Sequence, residues 1–388
     1  MLKLHLIQAE YGDCLILEHG DSSNPRYILI DGGPAPTYQV HLQPKLLEIS
    51  AAGGKLDLVV LSHVDDDHIA GLLELLAELQ RQHDQGQTET IAIAALWHNT
   101  FSQTLGQEVE ARFRMLMQNT PTPRETTTCS TSTERSIGQG DELTQSAEAL
   151  RIPLNSEFMP QGLICVDETP QAIPIGSLSL RVVGPTRQNL TMLQQKWLKW
   201  LEQQERRLRA GESARAARAA AKADESIPNL SSIMLLAEAE GQTILFTGDG
   251  RGDDLLQGLT QANLLDPGGK LHVNVLKLPH HGSRRNVTRK FFQTITADKY
   301  VICANGKDDN PDLTTLKWMV EAARKGGRRI EILMTNPTAS TRQLRQEYDP
   351  DVYGYRLVEM EPHAHALSVE LVTSPGAERG VYRALYKL

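Results

Sequence analysis

Ser62-His63-Val64-Asp65-Asp66-Asp67-His68 packs two imidazoles and three carboxylates into six positions. Before it runs Leu58–Leu61, a continuous apolar stretch of the kind buried on both faces of a sheet. After it, Leu72, Leu75, Leu76 and Leu79 recur at helical spacing between Gly71 and Leu79. Strand, loop and helix therefore bracket the cluster. On such a loop the side chains converge, and they repel one another unless a cation joins them. Imidazole and carboxylate are ligands of zinc, manganese and iron, so the stretch reads as a metal cluster.

Outward from this stretch, three more strand ends carry the same chemistry. Ile28-Leu-Ile-Asp31-Gly32-Gly33 closes a strand with an acid and two permissive glycines. Leu245-Phe-Thr-Gly248-Asp249 ends another in an acid, and Leu278-Pro-His280-His281-Gly282-Ser283 ends a third in paired histidines. Short strand-like runs fill the first sixty residues. Strands resume near Leu178 and Ile233, with Glu240-Gly241 as a hairpin turn and an amphipathic helix at Thr314–Lys325. Arg356–Met360 and Leu367–Val372 read as a closing hairpin. Strands followed by helices at both ends give an α/β fold with two sheets and outer helices.

These motifs together resemble the metallo-β-lactamase superfamily, whose fold is a four-layer αββα sandwich with metals at the edge of two facing sheets. The His-to-Asp form His63-x-Asp65-x-Asp67-His68, with Tyr11-Gly-Asp-Cys, Asp31-Gly-Gly, Asn229-Leu-Ser-Ser-Ile-Met, Phe246-Thr-Gly-Asp and Leu276-Lys-Leu-Pro-His-His-Gly-Ser, is similar to the metallohydrolase domain of ComEC-type competence proteins. The resemblance implies two divalent ions, zinc or manganese. It assigns His63 and Asp65 to one, Asp67 and His68 to the other, and Asp249 to both. Asp31 would brace a ligand histidine, and His280 or His281 would bind metal or contact a scissile phosphate, so Asp67, His280 and His281 are the expected catalytic residues. The family's separate histidine has no clear counterpart; His98 is the candidate. Its late His-Pro-His stands here as Asn310-Pro311-Asp312, so Asn310 and Asp312 are possible replacements. Carboxylate in place of imidazole favours manganese over zinc.

The chain has 388 residues and a net charge of −8, which excludes a surface coated in phosphate-binding groups. Its longest apolar runs fall short of the roughly 20 residues that span a bilayer. The start does not read as a signal peptide, and the four scattered cysteines read as free thiols, so a cytoplasmic protein without membrane contact is expected. A single domain over residues 1–388 is expected, with insertions at about 99–160, a Thr/Ser/Pro-rich loop or lid, and at 186–228, a basic helical segment. Within the second, Lys196–Lys222 holds eight basic and three acidic side chains. The stretch Arg206–Lys222 is expected to be open to cutting, with a regulatory protease as a possible partner.

Lys277, Arg284, Arg285, Arg289 and Lys290 surround the paired histidines, a cationic rim that suits an anionic phosphodiester. Lys277, Ser283, Arg284 and Arg285 are the expected substrate contacts. The expected activity is a metal-dependent phosphodiesterase, a nuclease hydrolysing DNA. Two alternatives remain open: hydrolysis of a small cyclic nucleotide or other small phosphodiester, and a non-catalytic regulatory protein with a degraded site.

Overall fold

The computed structural model describes residues 1–118, 132–160, 162–169, 171–209 and 231–371. Among them the strands run in chain order as β1 (Leu2–Ile7), β2 (Leu15–Asp21), β3 (Asn24–Ile30), β4 (Leu56–Val60), β5 (Leu96–Trp97), β6 (Ile173–Ile175), β7 (Leu178–Gly184), β8 (Met234–Ala239), β9 (Gln242–Phe246), β10 (Leu271–Lys277), β11 (Ile295–Ile302), β12 (Ile330–Met334), β13 (Tyr355–Glu359) and β14 (Ala366–Leu371). They form a six-stranded sheet in the order β14-β1-β2-β3-β4-β5 and an eight-stranded sheet in the order β13-β12-β11-β10-β9-β8-β7-β6.

Period-two alternation places the layers. In the first sheet, Leu4, Leu6, Leu15, Leu17, Ile28, Ile30, Leu58 and Val60 face Val182, Leu235, Phe246, Val275, Val301 and Leu333 of the second, in one buried core. The alternate residues Ile16, Leu29 and Val59 pack outward on Leu46, Ile49, Leu72, Leu75 and Leu79 of the helices Gln43–Ala51 and Asp66–Asp84. On the far side, Leu276, Tyr300 and Ile332 pack on Leu255, Phe291, Leu316 and Met319 of the helices Gly252–Gln261, Arg289–Thr294 and Leu313–Lys325. Helix, sheet, sheet, helix is the αββα order, the metallo-β-lactamase type of α/β fold.

Two expectations change. The closing hairpin does not form: β13 pairs parallel with β12, whereas β14 pairs antiparallel with β1 in the other sheet. The chain between them crosses the sandwich, with Met360 N–H on Met334 O and Gln8 N–H on His365 O. Most of the described part of the first insertion is helical, as Phe101–Leu105, Gln107–Gln118 and Ser132–Ala149. The last helix, of low overall hydrophobicity, is fixed by tertiary contact through buried Leu143 and Ala147 against the core of Asp66–Asp84. In the second insertion, Arg187–Arg209 is a helix whose Leu193, Trp197 and Leu201 pack on Leu105, Val109 and Phe113. Residues 119–131 of the expected lid and residues 210–222 of the stretch expected to be open to cutting lie outside the described residues. Cys14, Cys165 and Cys303 are buried free thiols, and no described helix is long and apolar enough to cross a membrane.

Candidate metal centre

One edge of the sandwich collects the chemistry. Asp31 follows β3, Ser62 and His63 follow β4, Asp249 follows β9, and His280 and His281 follow β10. Asp13 sits in the turn from β1 to β2. Parallel strands leave their carboxyl ends on this edge, where the loops that follow are free to carry function. Two close approaches shape it. Gly71 N–H bonds Gly33 O at 3.0 Å, and Gly32 N–H bonds His68 O at 2.7 Å. A Cβ at Gly71 would lie 2.0 Å from Gly32 O, so only glycine lets the helix start this near the strand end.

Four imidazoles point the same nitrogen inward, and each is oriented from behind. Asp31 accepts from Ser62 N–H and Ser62 Oγ–H, both at 2.7 Å, and from His68 Nδ1–H at 2.8 Å. With its proton on Asp31, Ser62 Oγ accepts from His63 Nδ1–H at 3.0 Å. His281 Nδ1–H donates to Cys303 O at 2.8 Å. Asn286 donates Nδ2–H to Asp249 O at 2.9 Å, which turns its Oδ1 to accept from His280 Nδ1–H at 3.0 Å. Each Nδ1 is thus a donor, and each Nε2 is left with a lone pair for the cluster.

The inward atoms converge on Asp249. Its Oδ1 lies 3.4 Å from His68 Nε2, and its Oδ2 lies 3.5 Å from His281 Nε2, 3.6 Å from His280 Nε2 and 4.0 Å from His63 Nε2. Asp67 Oδ2 is 3.4 Å from His281 Nε2, and Asp65 Oδ2 is 3.5 Å from His63 Nε2. These spacings are near the roughly 3.4 Å edge of a tetrahedron with metal–ligand bonds of about 2.1 Å. His63 Nε2, His68 Nε2, His281 Nε2 and Asp249 Oδ1 are buried without a hydrogen-bond partner. Orphaned polar atoms of this kind carry a full desolvation cost, and a shared cation removes it. The donor set therefore fits a divalent metal. His63, His68 and Asp249 form one group of possible ligands, and Asp67, His68 and His281 another. Groupings through Asp13 use the Nδ1 side of the rings, which already donates to Asp31 or Cys303.

Charge and backbone agree. Burial alone would lower the pKa of His281, but Asp249 and Asp13 override it and hold the ring well above its ordinary value. His68 is raised in the same way by Asp249, Asp31 and Asp67. Burial alone would raise Asp67, yet His68 and His281 bring it down to about 2. Asp249 is held well below the carboxylate range by His281, His280 and His68. Rings and carboxylates thus favour each other's charged forms across the centre. His280 and His281 also sit in the left-handed region, at φ 46° and 54°, and Asp31 at φ 58°. Such strain in non-glycine residues gathers at functional sites.

The structure brings together His63, Asp65, Asp67, His68, Asp249, His280 and His281, with Asp31 behind His68. Other expected residues fall elsewhere. His98 is buried after β5, but its Nε2 lies beside Gly140, where an added Cβ would be 3.6 Å away, and among the described residues it joins no ligand group. Asp312 accepts from Arg284 N–H at 2.7 Å at the start of the helix Leu313–Lys325, so its carboxylate serves the loop. Asn310 belongs to the turn before that helix, where its N–H donates to Lys307 O at 3.0 Å. Ser283 is buried, with Oγ 3.4 Å from Arg285 N, as a turn residue. Lys277, expected on the rim, is buried and paired with Asp13, because its strand position points between the sheets. Arg284 and Arg285 are exposed. Three residues of the site escape a reading of the sequence: Asp13, although Tyr11-Gly-Asp-Cys is one of the motifs, Ser62 and Asn286. The acid after a turn glycine is the available signal for Asp13; nothing local marks the other two.

Residues 9–107 match the family model of the metallo-beta-lactamase superfamily. That span holds Asp13, Asp31 and the 63–68 cluster, while Asp249, His280 and His281 join it only through the second sheet. No curated protein matches the chain.

Proposed function

We propose that this chain is a metal-dependent hydrolase that cleaves phosphodiesters, a nuclease acting on DNA. The observation that carries the reading is the convergence of buried, partnerless His63, His68 and His281 Nε2 atoms on Asp249. Asp67, His68, His281 and Asp249 would hold one ion; His63, Asp65, His280 and Asp249 would hold a second. A bound divalent ion supplies charge neutralisation on a phosphoryl oxygen and a lowered pKa for water. The carboxylate share of the donors favours manganese over zinc. Asp31, Ser62, Cys303 O and Asn286 keep the four rings in register, which limits reorganisation during reaction.

Arg284 and Arg285 are exposed and follow His280 by four and five positions; they would grip the phosphates flanking the scissile bond, Arg284 leaving its 3.6 Å pairing with Asp312. The likeness to ComEC-type metallohydrolase domains supports a polymeric substrate. Hydrolysis of a small phosphodiester is the second reading, favoured by the withdrawal of Lys277 from the cationic rim.

The test loads the purified chain with Mn²⁺ or Zn²⁺ and offers plasmid DNA, single-stranded DNA, RNA and a chromogenic bis-phosphodiester. DNA cleavage that is abolished in Asp67→Ala and His68→Ala supports the nuclease. Turnover of the small ester alone supports the second reading, and no turnover with any of them sinks both. Arg284→Ala with Arg285→Ala should weaken DNA binding and flatten its salt dependence, the slope falling by about 0.9 for each phosphate no longer held.

A further inference from the structure

Behind the inward-facing ring nitrogens lies a second layer of charge. Lys277 is buried at 1% exposure, as is Asp13, and the two form an ion pair. The Lys277 ammonium also donates to Gly248 O at 2.9 Å and lies 3.7 Å from Asp249 Oδ1. Asp13 in turn lies 3.5 Å from His281 Nδ1 and 3.9 Å from His68 Nδ1. The pair thus touches Asp249 and the backs of two candidate ligand rings. A buried ion pair is a weak source of net stability, since desolvation offsets its attraction. Its placement gives it another use.

We propose that Asp13 and Lys277 are positioning residues that set the cation affinity of the centre. Asp13 draws the ammonium away from Asp249, leaving the Asp249 oxygens available to the ion. The inference rests on the reading that this cluster holds a divalent metal. Without the Asp13 charge, Asp249 Oδ1 is a carboxylate oxygen within 3.7 Å of Lys277, and the ammonium closes on it as a competitor. Without the ammonium, Asp13 is an uncompensated anion behind His68 and His281, and both rings become stronger donors. The two single changes therefore act on metal affinity with opposite signs. A pair serving only as a structural prop predicts the same loss from either change.

The experiment titrates the full chain with Mn²⁺, and separately with Zn²⁺, against a chromogenic chelator, with circular dichroism melts as the check on folding. Asp13→Asn should weaken affinity by about tenfold or more, the range seen when groups supporting metal ligands are changed. Lys277→Met should not weaken it, and the double variant should recover most of the Asp13→Asn loss. A double variant as weak as Asp13→Asn, or an Asp13→Asn chain that binds like wild type, overturns the assignment. Where Asp13→Asn does not fold, Lys277→Arg is compared with Lys277→Met. Affinity in Lys277→Met at or above that of Lys277→Arg supports the assignment, and a loss confined to Lys277→Met overturns it. No metal uptake by the wild-type chain overturns the metal-centre reading itself, a result distinct from any of these.

Discussion

Asp31 and Ser62 show how one carboxylate sets the state of two rings. Asp31 holds His68 directly and His63 through the Ser62 hydroxyl. Asp31→Asn puts an amide N–H against one of three donors, so one bond is replaced by a clash of donors. Metal affinity in a chelator titration is expected to fall about 10–100-fold; unchanged affinity would show that Asp31 does not orient the rings. A second residue gives a pH signature. Burial lowers the pKa of His98 to about 4, so the folded protein keeps it neutral while the unfolded chain protonates near 6.5. The unfolded state then binds more protons, and stability falls as pH drops from about 6.5 towards 4. Between pH 7 and pH 5 this term is about 2 kcal/mol at 1.36 kcal/mol per unit. Urea unfolding of His98→Gln should lose that much less than wild type over the same interval. Equal losses would show that His98 titrates normally.

The helix Asp66–Asp84 matters through where it begins. Its first turn carries Asp67 and His68, and its approach to β3 is limited only by Gly32 and Gly71. In Gly71→Ala the new Cβ would meet Gly32 O at 2.0 Å, so helix and strand end must move apart. Overpacking of this kind costs about 1–3 kcal/mol. Because the same shift moves His68 relative to Asp249, metal affinity should fall along with the urea midpoint. Wild-type affinity in a destabilised variant would separate the helix position from the site. The paired histidines belong to this scale as well. The short turn Pro279–Gly282 is held by Thr247 Oγ–H on Lys277 O and by Ser283 N–H on His280 O, which keeps two non-glycine residues at positive φ.

At the scale of the molecule, the candidate ligands come from both sheets: His63, Asp67 and His68 from the six-stranded one, Asp249, His280 and His281 from the eight-stranded one. A cation shared between them binds the folded state and not the separated halves. Its stabilisation follows mass action, about 2.7 kcal/mol at a free concentration 100 times the dissociation constant. The melting temperature should therefore rise with added Mn²⁺ and return on chelation, and His68→Ala should abolish the shift. A wild-type melt insensitive to both metal and chelator would remove the shared ion from the stability of the fold.

The signals readable along the chain were local and dense. The 63–68 cluster, the acids closing β3 and β9, and the paired histidines after β10 were legible because residue type and strand end coincide within a few positions. The α/β class with two sheets and outer helices followed from strand-like runs succeeded by helical ones, and the αββα order was what the family resemblance implied. The remainder depended on partners far apart in the chain, which packing alone brings together. Lys277 looks like a rim cation in sequence, and only the facing of the two sheets pairs it with Asp13 across 264 positions. His98 looks like a ligand until the helix Ser132–Ala149 is packed beside it. The last two strands look like a hairpin because each has strand character, but the choice of neighbour lies with the free edges of two separate sheets. Local propensity selects an element; burial and charge balance, which are sums over distant neighbours, select what that element touches.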